Sequence, residues 1–185
     1  MTRTHLLFLG ITLLGACGDP APTGTRSPLR PQAAPSFSAA KATENRDLAT
    51  LRASTAGFHR FDVAKQAGYT FLFMNMCMED GSPAKLGGMG YHYVNTTLLD
   101  GSVDVANPEA LLYAPDRNGR LDLVAVEYVI PKAAWSAAQP PELFGKQFKL
   151  NAFDLWALHV WVWEKNPSGL YADWNPRVSC ANAAP

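Results

Sequence analysis

Three titratable side chains stand alone in apolar, strand-like stretches: His92 in Tyr91 to Asn95, Glu127 in Leu123 to Ile130, and His159 in Trp156 to Trp163. Side chains alternate across a strand, so parity groups them by face. Glu127 falls with Leu123, Ala125 and Val129, while Val124, Val126, Tyr128 and Ile130 take the other face. His159 falls with Ala157, Trp161 and Trp163, opposite Leu158, Val160 and Val162, and His92 falls with Gly90 and Val94. A charge buried in such company normally pairs, neutralises or binds metal. Two imidazoles and a carboxylate converging on a divalent transition metal would leave positions open for water or substrate. A second reading is a buried Glu–His hydrogen-bonded pair, with the other histidine bonded to backbone, that only specifies the core. A third is an enzyme using Glu127 as base and a histidine as acid. The enzyme places the three groups in an open pocket; a structural network closes over them. His59 lies in a helical stretch and is expected in solvent.

Met74, Met76 and Met78 alternate, with Met89 nearby, and thioethers bind copper(I). Methionine also fills irregular cores, and core packing is the expected role here. Trp161, Trp163 and Trp174 gather late in the chain and could line a groove for an apolar or sugar-like ligand. Asp116, Asn118 and Asp122 have a faint calcium-loop spacing, but the stretch is too short and lacks the closing glutamate, so a turn is expected. The chain has no G-x-S-x-G, Walker, H-E-x-x-H or C-x-x-C motif. Gly87-Gly88-Met89-Gly90 leads into a strand and so lacks the helix N-terminus that binds phosphate.

The elements that must position these residues follow from periodicity. Asp47 to Ala67 spaces its apolar residues for one or two amphipathic helices, closed by Gly68. Tyr69 to Met78 reads as a strand, the glycine run gives a permissive entry to Tyr91 to Asn95, and Asn118-Gly119 joins Glu109 to Tyr113 with Leu121 to Ile130 in a hairpin. Trp156 to Trp163 is a further strand. Helix first and hairpin-linked strands after it predict an α+β fold: a curved antiparallel sheet or partial barrel with the N-terminal helix packed against it.

Arg3 precedes a short apolar run from Leu6 to Leu14, about half the roughly 20 residues a membrane span needs, as in a signal peptide. The run ends in Leu14-Gly15-Ala16-Cys17, which resembles the bacterial lipobox. That resemblance implies cleavage of residues 1–16 and attachment of diacylglycerol to Cys17, making the chain a lipoprotein precursor whose domain faces the cell envelope from a membrane. Residues 17–43 are rich in proline, alanine and serine and are expected to form a flexible tether. Residues 44–181 make one domain and 182–185 a tail. With Cys17 on lipid, Cys77 and Cys180 remain, most simply a disulfide in an oxidising compartment. The alternative is Cys77, beside Met76 and Met78, as a soft metal ligand. The 16 basic and 16 acidic residues balance without blocks, which disfavours a nucleic-acid or anionic-lipid surface.

Leu86 to Asn95, Pro108 to Tyr113, Val126-Glu127-Tyr128, Leu158-His159-Val160-Trp161 and Trp174-Asn175-Pro176 are together similar to a group of uncharacterised exported bacterial proteins. The resemblance covers most of the domain and implies its limits, not a mechanism. The expected function is therefore a lipid-anchored envelope domain binding a small ligand or a metal through a buried His/Glu site. An envelope enzyme and a structural protein with an exposed apolar patch are the alternatives.

Overall fold

Apolar residues on both faces of Leu123 to Ile130 call for cover on both sides, and this segment lies at the centre of the sheet. The computed structural model describes residues 37–183; the stretch read as a signal peptide, the expected lipidation site Cys17, the expected tether up to residue 36 and residues 184–185 lie outside the described residues. Helix α1 (Phe37–Thr55) and the short α2 (Phe61–Gln66) precede strands β1 (Phe71–Leu72), β2 (Met78–Glu79), β3 (Gly88–Val94), β4 (Ala110–Pro115) and β5 (Leu121–Pro131). Strands β6 (Glu142–Leu143) and β7 (Lys146–Gln147) form a separate two-stranded ribbon, followed by β8 (Lys149–Leu150) and β9 (Leu155–Val160). The main sheet runs β1-β3-β4-β5-β9-β8, with β2 also on β3, and every pairing is antiparallel. Its two ends do not meet, so the expected α+β architecture is present as an open sheet and not as a barrel.

One face of the sheet packs on the helices: Leu48 and Leu51 of α1 and Ala64 of α2 join Leu111, Tyr113, Val126, Tyr128 and Val160 in the main core. Buried tyrosines there keep their hydroxyls satisfied. Tyr69 donates to the Pro108 carbonyl at 2.8 Å, Tyr113 to Phe58 at 2.7 Å and Tyr128 to Val105 at 2.7 Å. The opposite face carries a smaller cluster with Val94, Ala110, Leu112, Val124 and Ala125.

The structure departs from simple periodicity in four places. Helix α1 begins at Phe37, inside the stretch 17–43 read as tether. Beyond Pro35, Ala39, Ala40 and Ala42 are strong helix formers, so propensity extends the helix past the point where burial begins at Leu48. Tyr69 to Met78 is not one strand: Met74 and Asn75 take left-handed φ of 56° and 51° and break it after Leu72. The methionine stripe therefore does not exist as a face, and Met74 and Met76 are exposed instead of packed in the core. A bulge opposite Leu112 and Tyr113 inserts one extra residue into β5, so Val124 joins Ala125 on the smaller cluster's side and Leu123 joins Val126 on the helical side. Strand β9 ends at Val160, which removes the alternation expected through Trp163.

The hairpin at Asn118-Gly119 is present, with the Asp116 carboxylate accepting the backbone N–H groups of Asn118 and Arg120. The Cys77–Cys180 disulfide is formed, with Cα atoms 5.8 Å apart. Among the described residues, no helix is long and apolar enough to cross a membrane.

Candidate metal centre

Glu127 on β5 lies directly opposite His159 on β9, which puts their side chains on one face as neighbours. His92 on β3 is a harder case, because β4 runs between β3 and β5. Two inter-strand steps amount to about 9.5 Å. His92 pairs with Leu112 of β4 and Glu127 with Ala110, so the side chains bridge that span diagonally across β4, beside the fully buried Ala110. Ala110, Ala125 and Ala157 keep this face low beside the three polar groups, and Leu112 flanks His92. Gly90 sets the approach of β3: its φ is +89°, and a Cβ there would collide with the Tyr113 carbonyl.

One ligand atom from each of His92, Glu127 and His159 lies within 4.8 Å of the other two. His92 Nε2 is 3.7 Å from Glu127 Oε2, and His159 Nε2 is 3.5 Å from Glu127 Oε1. A hydrogen-bonded pair would bring N and O to roughly 2.7 to 3.2 Å. Two atoms bonded at roughly 2.0 to 2.1 Å to one tetrahedral ion sit about 3.4 Å apart. The observed separations match ligands around a common centre better than a Glu–His hydrogen bond. Among the described residues, His92 Nδ1 and His159 Nε2 are the buried side-chain polar atoms without a hydrogen-bond partner. His159 leaves unpaired the nitrogen that faces Glu127, whereas His92 turns Nε2 to Glu127 and leaves Nδ1 unpaired, in contrast with the fully satisfied tyrosines across the sheet.

Burial, reinforced by Asp173 and Glu109, pushes the Glu127 carboxyl up to about 8. Burial, helped by His159, holds His92 down to about 3, with the Gly90 backbone pulling the other way. Burial and the nearby Lys149 ammonium hold His159 down to about 4. Without an ion, therefore, both imidazoles are neutral and Glu127 keeps its proton at neutral pH. Neutral imidazole is the state that ligates metal, and Glu127 has one proton to give up.

The three groups line a cavity of about 700 Å³, which the open-pocket expectation required and a closed network does not. Trp174 lines this cavity as well. The other two tryptophans do not form a groove with it. Trp161 is buried and donates to the Ala172 carbonyl at 2.6 Å, while Trp163 turns to the helical side and donates to Thr55 Oγ1 at 3.3 Å. His59 is exposed in the turn after α1, its ring edge against Trp163. Cys77 is committed to its disulfide and is not a metal ligand.

Sequence reasoning missed several groups around the site. Lys149 contacts both oxygens of Asp173 at 2.9 and 2.8 Å at the cavity edge. Both come from a two-residue strand and an irregular tail, where parity says nothing. Glu109 is buried just before β4 and accepts the Val129 N–H at 2.9 Å, carrying the ladder past the end of its strand. Burial raises it to about 7, although the Val129 and Glu109 backbone N–H groups oppose the shift. The residue before a predicted strand whose partner strand runs on was the available signal. No family model, curated protein or solved structure matches the chain.

Proposed function

We propose that this chain is a metal-binding domain of the bacterial cell envelope, held to a membrane through lipid on Cys17, in which His92, Glu127 and His159 bind one divalent transition ion. The observation that carries the metal reading is that Nε2 of both His92 and His159 faces the Glu127 carboxylate at separations too long for hydrogen bonds, with His159 Nε2 left without any hydrogen-bond partner. Three protein ligands leave at least one coordination position free, and the cavity gives a ligand or water access to it. The envelope location rests on the lipobox-like Leu14-Gly15-Ala16-Cys17, and the disulfide agrees with an oxidising compartment.

Elemental analysis of the purified chain tests the metal reading. About one ion per chain is expected, lost in His92→Ala and in His159→Ala while circular dichroism retains the sheet. Absent metal, with a melting temperature unmoved by added zinc, copper or iron, would sink it. Incorporation of labelled palmitate into the full chain, abolished by Cys17→Ser, is the expected mark of the anchor; equal labelling of the variant would refute it. The open cavity also favours an enzymatic reading, in which an ion held by His92, Glu127 and His159 would supply Lewis-acid chemistry for hydrolysis of a bound ester or amide. Chelator-sensitive hydrolysis that disappears in Glu127→Gln would support that second reading over simple binding.

A further inference from the structure

The cavity above His92, Glu127 and His159 is unusual in how its mouth is built. Phe71, Leu150 and Phe153 line it and remain 52%, 42% and 49% exposed, although burying large apolar side chains is favourable. They come from three separate segments: β1, the edge strand β8 and the loop before β9. Phe153 is held in place edge-on by Phe73, their ring centroids 5.1 Å apart. The buried floor of the cavity is therefore polar and its rim carries these apolar side chains beside the Lys149–Asp173 pair, within a volume that suits a small molecule.

Charge selects the head group. Two neutral imidazoles and one carboxylate around a divalent ion leave a net charge of +1, and the Lys149–Asp173 ion pair at the cavity edge leaves that sum unchanged. Residual positive charge in a buried site is costly unless an anion meets it. A neutral head such as an alcohol leaves that charge standing, and a dianion overshoots it. A single carboxylate balances the ion, and its oxygen is a suitable donor to the free coordination position.

Resting on the metal reading above, we propose that the pocket binds an aliphatic monocarboxylate, its carboxylate on the bound ion and its hydrocarbon chain against Phe71, Leu150 and Phe153. Burying the chain removes methylenes from water, so affinity should rise about fourfold per added methylene while the chain remains within the mouth, from about 0.8 kcal/mol each.

The test is calorimetric titration of the zinc-loaded full chain with hexanoate, octanoate and decanoate, and with decanol as the neutral counterpart. The expected result is a stepwise gain with length, decanoate binding at least tenfold tighter than decanol, and loss of decanoate affinity on removing zinc. Phe153→Ser, at a half-exposed position that ligates nothing, should flatten the length dependence with zinc content unchanged. If zinc binds but the acids show no length dependence, or decanol equals decanoate, or metal-free protein binds decanoate as well, the ligand assignment is overturned and the metal site stands. A chain that takes up no zinc at these residues overturns both.

Discussion

Glu127 and the two histidines divide the pH dependence of the metal-free protein between them. Glu127 and Glu109, raised from 4.5 to about 8 and about 7, keep protons in the fold that the unfolded chain has released. Their contribution to stability therefore declines as pH rises from 4.5 through those values. His92 and His159, lowered from 6.5, stay neutral where the unfolded chain is protonated, so their contribution is full above 6.5 and is lost as pH falls towards 4 and below. Between pH 4.5 and 6.5 the two trends oppose each other. From 6.5 to 8 only the carboxyls titrate, and melting temperature should fall, by a stability change on the order of 1 to 2 kcal/mol for Glu127. Glu127→Gln should remove most of that fall; a wild-type melting curve that rises over the window would contradict the assignment. Zinc must displace the Glu127 proton, so its apparent affinity should increase over the same interval. The three residues themselves were legible in the sequence, because a lone ionisable group in an apolar strand has few ways to be buried. Lys149, Asp173 and Glu109 were not, because their placement depends on where neighbouring strands stop.

At the scale of elements, strand parity worked where pairing is regular and failed at each interruption. Glu127 and His159 were assigned to the correct face because β5 and β9 pair without a break from Val126 to Pro131. The bulge opposite Leu112 and Tyr113 reversed Leu123 and Val124, and the left-handed residues Met74 and Asn75 dissolved the methionine stripe. Neither break has a glycine or proline to announce it in the sequence. Strand β4 contributes no ligand, yet the site depends on it, since His92 pairs with Leu112 and reaches Glu127 diagonally across β4, beside Ala110. Ala110→Leu is expected to block that approach and cost about 1 to 3 kcal/mol through overpacking. Reduced zinc stoichiometry in a chain that still melts cooperatively would mark the geometric effect; undiminished zinc binding would show that the route over β4 is misplaced. Gly90→Ala should be at least as damaging, because its φ of +89° and the Tyr113 carbonyl both exclude a side chain.

Across the whole molecule, one face of the sheet supplies stability and the other a cavity. The helical side holds the larger core with its tyrosine hydroxyls satisfied, while the opposite side leaves orphaned imidazoles beneath an apolar mouth. The Cys77–Cys180 disulfide joins residues 103 positions apart, enclosing β3, β4, β5 and β9 within its loop. Loop-closure entropy puts its contribution at about 4 to 5 kcal/mol, with native bridges typically nearer 2 to 5. Paired Cys77→Ser and Cys180→Ser substitutions should lower denaturation free energy accordingly, and an unchanged midpoint would place the bridge outside the folding unit. The central claim is most directly tested by anomalous diffraction from crystals of the zinc-loaded protein. A single strong peak is predicted about 2.0 to 2.1 Å from an imidazole nitrogen of His92, an imidazole nitrogen of His159 and a carboxylate oxygen of Glu127. Density at that position without an anomalous signal, or zinc bound only elsewhere on the molecule, would contradict it.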